Sequence, residues 1–166
     1  MYTIYVDGNV LYSPLLTNEG YCVLNPKITM ELNKAGSLSF LLPTTNVMYD
    51  SIKKLKSIVT VYEDEIEIFR GRVLHDEKDF YNRKNVYCEG ELAFLLDSPV
   101  RPYEFKGDIS DLFKKYINAH NSAVESEKRF VIGNVTVSDS NNYINRSNSD
   151  YSNTWQELND KLVKLC

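Results

Sequence analysis

Between Asn33 and Phe40 the chain reads Asn-Lys-Ala-Gly-Ser-Leu-Ser-Phe, a turn that opens into a run with an apolar residue at every second position. Successive side chains of a strand point to opposite faces, so a period of two marks a sheet with one buried side. A second block, Ile68-Phe69-Arg70-Gly71-Arg72-Val73, follows at strand spacing. Together these blocks restrict the first half of the chain to antiparallel strands joined by tight turns.

The same reading extends on both sides. Tyr2 to Val6 alternates, Asp7-Gly8-Asn9 supplies a turn, and Val10-Leu11-Tyr12 returns, which predicts a hairpin. Lys27 to Asn33 predicts a strand with Ile28, Met30 and Leu32 on one face, and Ser37 to Leu42 a strand with Leu38, Phe40 and Leu42 on one face, with Gly36 free to take positive φ between them. Pro43 ends that strand, and Asn46 to Lys56 predicts a short helix or turn with Met48, Ile52 and Leu55 inward. Ile58 to Tyr62 and Ile66 to Val73 bracket the charged turn Glu63-Asp64-Glu65, with Ile66 and Ile68 expected on the buried face; Lys84 to Glu89 adds a strand with Val86 and Cys88 on one side. Short antiparallel strands at this spacing favour a small barrel or sandwich.

After Gly90 the pattern changes. Glu91 to Leu96 predicts a short apolar helix stopped by Asp97-Ser98-Pro99, so residues 1–97 form one domain and 98–166 a second, mixed α/β subdomain. Asp108 is an N-cap for a helix carrying Ile109, Leu112, Phe113, Tyr116 and Ile117 at helical spacing. Lys128 to Val137 holds two strand-like runs around Gly133-Asn134, and Ser138 to Asn153, with twelve Ser, Asn or Asp residues in sixteen, predicts loop. Thr154-Trp155-Gln156-Glu157 is a capping box opening a helix with Trp155, Leu158, Leu162 and Leu165 as its apolar stripe. That stripe runs into the last residue, so the second subdomain is expected to be truncated at its carboxyl end.

Composition excludes several classes. A net charge of −4, with Lys and Arg scattered, provides no basic footprint for a phosphate backbone, so nucleic acid is not expected as a partner. No apolar run approaches the ~20 residues of a membrane-spanning helix, and Met1 to Asp7 lacks the basic and apolar regions of a signal peptide. Cys22, Cys88 and Cys166 are too dispersed for a disulfide framework or zinc ribbon and read as reduced thiols. The twelve tyrosines supply rigid contact area with a polar tip, suited to surfaces that meet other proteins.

Reactive constellations are sparse. The seven glycines are never closer than twelve residues, so no phosphate cradle exists. His75-Asp76-Glu77 lacks the second histidine of a zinc hydrolase and reads as a solvated strand end; His120 reads as a favourable contact at a helix C-terminus. Glu63, Asp64, Glu65 and Glu67 read as a charged hairpin turn rather than a glycosidase pair, and Asp139 to Asp150 lacks the glycine and terminal glutamate of a calcium loop. No catalytic residue, cofactor or metal is therefore expected.

In its ordered blocks the chain resembles the amino-terminal region of phage tail hub proteins: the tail-associated lysins of long-tailed phages and the baseplate hubs of prophages, a family that includes prophage tail endopeptidases. The blocks are Asn33 to Phe40, Ile68 to Val73, Asp79-Phe80-Tyr81-Asn82, Cys88-Glu89-Gly90-Glu91-Leu92-Ala93-Phe94-Leu95, Arg101-Pro102-Tyr103 and Tyr151-x-x-Thr154-Trp155. Thr44 and Val47 replace prolines habitual in that family. The resemblance implies an α+β, β-rich fold: a small antiparallel split β-barrel of the SH3-like hub type followed by a mixed α/β subdomain. It implies a homotrimer in the full-length protein, at the junction of the tail tube or distal tail protein with tail fibre, spike or lysin domains. It also implies assembly in the host bacterial cytoplasm and residence at the virion tail tip, any peptidoglycan-cleaving activity lying in a domain beyond this chain.

The leading expectation is a structural assembly protein, not an enzyme, with the hairpin bearing Tyr62, Phe69, Arg70 and Arg72 as the subunit-contact surface. A cell-wall hydrolase fragment, with His75 or Glu65 in its chemistry, is the alternative from another class. A third is a carbohydrate-binding module using Trp155 or Tyr103.

Overall fold

The computed structural model describes residues 1–136 and 143–163. The chain divides into two compact units, Met1–Leu92 and Ala93–Cys166, five residues earlier than the expected 97/98 boundary. The short 3-10 helix Glu91–Leu96 crosses that division where the sequence predicts a helix.

The first unit is one curled, antiparallel half-barrel sheet of seven strands, in the order β2-β1-β5-β6-β7-β4-β3. The strands are β1 Tyr2–Val6, β2 Asn9–Tyr12, β3 Leu24–Thr29, β4 Ser37–Leu42, β5 Ile58–Glu63, β6 Ile66–Lys78 and β7 Lys84–Gly90. The β1–β2 turn takes positive φ at Asp7 and Gly8, the demand of a two-residue hairpin turn whose twist matches its strands. Alternation delivers the core: Ile4, Val6, Leu38, Phe40, Leu42, Val59, Val61, Val86 and Cys88 are all buried together, each large one contributing about 1.5–3 kcal/mol on burial.

Three expectations are corrected here. β3 stops at Thr29, leaving Met30 and Leu32 exposed in the turn that leads to Gly36, whose φ of +72 is as expected. Residues 46–56 form successive turns, one of the two expected forms, with Ile52 and Tyr49 buried and Met48 packed on the core, but Leu55 points out with φ +63. In β6 the register shifts opposite Val61 and Tyr62, which pair with Phe69 and Glu67, so Ile68 is the extra residue of a bulge. One inserted residue exchanges the faces, which buries Phe69 and exposes Ile66.

Both sheet edges are blunted. β3 carries Pro26, which has no N–H, beside a register shift between Leu24 and Lys27. β2 is four residues long, and the carbonyl of Leu11 accepts from Nδ2 of the buried Asn46 at 3.0 Å.

In the second unit β8 (Pro99–Val100) pairs with β11 (Ser152–Asn153), and β9 (Tyr103–Gly107) pairs with β10 (Ile144–Asn148). Helix α1, Ile109–Ala123, begins where expected, with Asp108 Oδ1 accepting from Ser110 N–H at 2.7 Å. The polar stretch read as loop thus holds two strands, while its residues 138–142 lie outside the described residues. Residues 129–136 form no strand, contrary to the expectation. Helix α2, Thr154–Leu158, is capped by Asn153 Oδ1 accepting from Gln156 N–H at 2.8 Å, so Thr154 is not the cap; the helix continues as a π turn over Asn159–Val163. Leu158 and Leu162 pack on the small core of Val100, Leu112, Tyr116 and Ile144, whereas Leu165 and Cys166 lie outside the described residues.

Gly71 and Gly90 face each other across β6 and β7, and Gly90 N–H donates to the carbonyl of Gly36 at 3.1 Å. A Cβ on Gly90 would lie 1.7 Å from the Ala35 carbonyl oxygen, whereas one on Gly8 would meet open space at φ +80. Gly90→Ala should therefore lower unfolding free energy by about 3 kcal/mol or more, against about 1–2 kcal/mol for Gly8→Ala. Urea midpoints at unchanged slope measure both.

Candidate functional site

On the side of the sheet turned away from the core, the register sets Thr3 against Tyr62, Tyr5 against Thr60, and Thr60 against Arg70. This outer face carries aromatic and hydroxyl groups where solvent-facing strands ordinarily carry charge. Tyr5 and Tyr62 meet edge to face at 5.7 Å between ring centroids. Around them lies an open depression of about 410 Å³, floored by Thr3, Tyr5, Thr60 and Tyr62 and bounded by Gly8, Asp64 and Glu65. Tyr62 donates to Glu67 Oε2 at 3.2 Å, and desolvation followed by the Glu67 charge raises its hydroxyl pKa. Tyr2 is raised likewise, first by its hydrogen bond to Glu63.

The four residues expected at the contact surface separate into two pairs. Tyr62 and Arg70 lie on the outer face, half-buried, with Arg70 Nη1 3.2 Å from Glu91 Oε2. Phe69, 5% exposed, belongs to the core, because the bulge at Ile68 turns it inward. Arg72 is 8% exposed, and its Nε and Nη2 reach Glu89 Oε1 at 2.6 and 2.5 Å, so its guanidinium is committed within the unit. Tyr5 joins the face through a pairing between strands more than fifty residues apart in sequence, which local patterning does not reveal.

The β6–β7 tip is a second outward feature. Asp79 accepts from Tyr81 N–H at 2.9 Å, Arg83 N–H at 3.0 Å and Arg83 Nε at 2.7 Å, and the Arg83 hydrogen bond comes first in lowering its carboxyl pKa. This braced turn holds Phe80 94% exposed beside Tyr81. His75 stacks on Tyr87 at 5.1 Å. Cys22 and Cys88 are free thiols, and burial pushes Cys88 up to about 12, which makes it a poor nucleophile.

In the second unit sequence reading missed two buried polar clusters. His120 lies in the last turn of α1, as expected, and is fully buried. Its Nε2 lies 2.9 Å from the Lys128 carbonyl, which only accepts, so Nε2 carries the proton and Nδ1 accepts from Ser98 Oγ at 2.7 Å. Ser98 Oγ is also 2.7 Å from Thr154 Oγ1, which can donate to it. A Ser–His hydrogen bond invites comparison with a nucleophile and base, yet Ser98 and Thr154 are as buried as the imidazole. Here the network joins α1, β8 and α2.

Glu157 is the second hub. Its Oε1 accepts from Asn148 Nδ2 and Ser152 Oγ, each at 2.6 Å, and its Oε2 from the Tyr103 hydroxyl at 2.9 Å and the Tyr116 hydroxyl at 3.3 Å. The two tyrosine hydroxyls are also within hydrogen-bond reach of each other, so the single Tyr116 proton is shared between the Tyr103 oxygen and the more distant carboxylate. Sequence reading gave Glu157 a capping role and Tyr103 a sugar-stacking one, but the carboxylate ties β10, β11 and α1 to α2, and the Tyr103 hydroxyl is held inside that cluster. Desolvation pushes Tyr103 up to about 12 and raises Tyr116 as well.

Among the described residues no group of three or more His, Cys, Asp or Glu side chains is disposed to hold a metal ion, and no helix is long and apolar enough to cross a membrane. No protein-family model matches the chain, and no curated protein matches it.

The tyrosine pair makes stability alkali-sensitive. A hydroxyl whose folded pKa exceeds its unfolded value stabilises fully below the unfolded pKa, and that contribution is lost as pH rises toward the folded one. The loss therefore falls between pH 10.0 and about 12 for Tyr103, and Tyr103→Phe should flatten the decline of thermal midpoint over that interval. Ser98→Ala, which strips the donor from a buried imidazole nitrogen, should cost about 1–3 kcal/mol in chemical denaturation.

Proposed function

We propose that this chain is a structural subunit of a phage or prophage tail tip or baseplate hub, one that joins the tail tube to tail-tip, fibre or lysin domains. Its work is contact between copies of itself and with neighbouring tail proteins, rather than bond-breaking. In this reading the curled sheet is a split barrel of the SH3-like hub type, assembled in the host bacterial cytoplasm and carried at the virion tail tip.

One observation carries the reading: the outer face of β1 and β5 presents Thr3, Tyr5, Thr60 and Tyr62, with Arg70 of β6 opposite Thr60. Tyr and Arg are the residue types enriched where proteins meet. The ordered blocks shared with tail hub proteins give this self-associating surface its setting. The blunted edges at β2 and β3 direct association to faces and hairpin ends, since strand addition is obstructed there.

Light scattering on the full chain tests the reading. A mass several times 19.2 kDa is expected, with no release of fragments from purified peptidoglycan. The double change Tyr62→Ala with Arg70→Glu should weaken association by about tenfold or more, with an unchanged far-ultraviolet circular dichroism spectrum. A chain that stays monomeric at every concentration, or that hydrolyses peptidoglycan, overturns the proposal.

A further inference from the structure

Strand β5 is flanked by two oppositely charged ends. Immediately before it lies Lys53-Lys54-Leu55-Lys56, and immediately after it Glu63-Asp64-Glu65, with Glu67 one turn on in β6. Six extended residues separate these ends by about 20 Å. All three lysines and all four acids are exposed. Among the described residues, Lys53, Lys54 and Lys56 make no ion pair within the subunit, and neither does Glu65; Asp64 pairs with the amino terminus and Glu67 accepts from Tyr62. The lysine end is also close to Asp7, whose carboxylate is taken by Ile58 N–H at 2.8 Å.

Each charged end also holds out an aliphatic side chain. At the acidic tip Ile66 is 70% exposed; at the basic turn Leu55 is 47% exposed. Leu55 adopts φ +63, a left-handed conformation that leucine rarely takes, and its N–H donates to the Val73 carbonyl at 2.7 Å. The turn is closed around it by Ser57, whose Oγ accepts from Lys53 N–H at 3.0 Å and whose N–H donates to the Lys53 carbonyl at 2.9 Å. The fold thus holds out one aliphatic side chain among exposed lysines and another among exposed acids, at opposite ends of one strand.

We infer that the acidic tip of the β5–β6 hairpin of one copy docks on the Lys53–Lys56 turn of the next, with Ile66 and Leu55 in contact between the charged rims. This inference rests on the self-association reading above and names its partner surfaces. The occupant is a second copy because the two patches are opposite in charge and each carries an exposed aliphatic side chain. Since they differ from each other, the contact is heterologous and runs head to tail, the arrangement that closes into a ring when the rotation between neighbours allows. Charged rims of this kind set orientation and encounter rate, and they weaken as salt rises.

Two charge-reversed variants of the full chain test it: K53E/K54E/K56E, and E63K/E65K/E67K. Every substituted side chain is exposed, and thermal midpoints check that each variant folds. Wild-type association should weaken as ionic strength rises. Each variant alone should associate more than about tenfold less tightly than wild type. Mixed, the two should bind each other, and because tips and turns then alternate, closed assemblies of the mixture should contain only even numbers of chains by analytical ultracentrifugation. If wild type associates but either variant alone associates equally well, or the mixture binds no better than its components, the docking surfaces are wrong and the self-association reading survives. If wild type does not associate at any ionic strength, both fall.

Discussion

The sheet of the first unit turns on a place where three backbones come too close for any side chain. Gly71 and Gly90 are register partners, a Cβ on Gly71 would lie 2.1 Å from the Glu89 carbonyl oxygen, and Gly90 in turn lies against Ala35 and Gly36. The β3–β4 turn is thereby fastened to the middle of the β6–β7 ladder. Curling a seven-stranded sheet brings strands over one another, and it is at such a closure that a strand can carry glycine with advantage. The core of Leu38, Phe40, Val73, Val86 and Cys88 then fills the concave side. Three sequence blocks that look unrelated along the chain, 33–40, 68–73 and 88–95, are parts of this one junction.

The second unit is held by different means. Among the described residues its apolar cluster buries Val100, Leu112, Tyr116 and Ile144, and β10 and β11 are built from Asn, Ser and Arg with a single buried aliphatic residue, Ile144. Hydrophobic burial alone gives such strands little reason to choose one register. Glu157 and His120 supply it: Asn148, Ser152 and Tyr103 donate to one carboxylate with the Tyr116 hydroxyl beside them, and one imidazole is read at both nitrogens. Buried networks with every member satisfied specify an arrangement sharply, because any slip leaves a desolvated group without a partner.

Much of the first unit was legible because period-two patterning and turn chemistry are local. The hairpin at Asp7-Gly8, the faces of β4 and β7, and the N-cap at Asp108 all follow from neighbours in sequence. The failures have specific causes. Ile66 looks inward by alternation with Ile68, but a bulge at Ile68 fixed by the partner strand leaves Ile68 packed on the core and Ile66 exposed. Leu55 sits at helical spacing, yet Ser57 and Val73 hold its turn in a left-handed conformation. The serine and asparagine run reads as loop because its ladder partners, 40 residues earlier, and the carboxylate that receives its side chains are set by the tertiary fold. Of the expected contact residues, Tyr62, Arg70 and Arg72 are on the outer face, where Arg72 is covered and paired with Glu89, while Phe69 belongs to the core.

That division between interior and exterior bears on which surfaces the chain leaves open to contact. Every strand of an open sheet must either be paired, be covered or be made unattractive to strangers. Here β3 carries a proline and a lysine, and β2 is short with one carbonyl already taken by Asn46. Backbone-to-backbone addition, which recognises almost any extended chain, is thus suppressed at both ends of the sheet. What remains outward is side-chain chemistry: the tyrosine pair on the outer face, the braced Phe80 tip, and the unlike charges at the two ends of β5. Contacts made through side chains discriminate by shape and charge, whereas open edges do not. A sheet closed to indiscriminate pairing but carrying distinct, oriented patches is suited to repeated assembly in one fixed geometry.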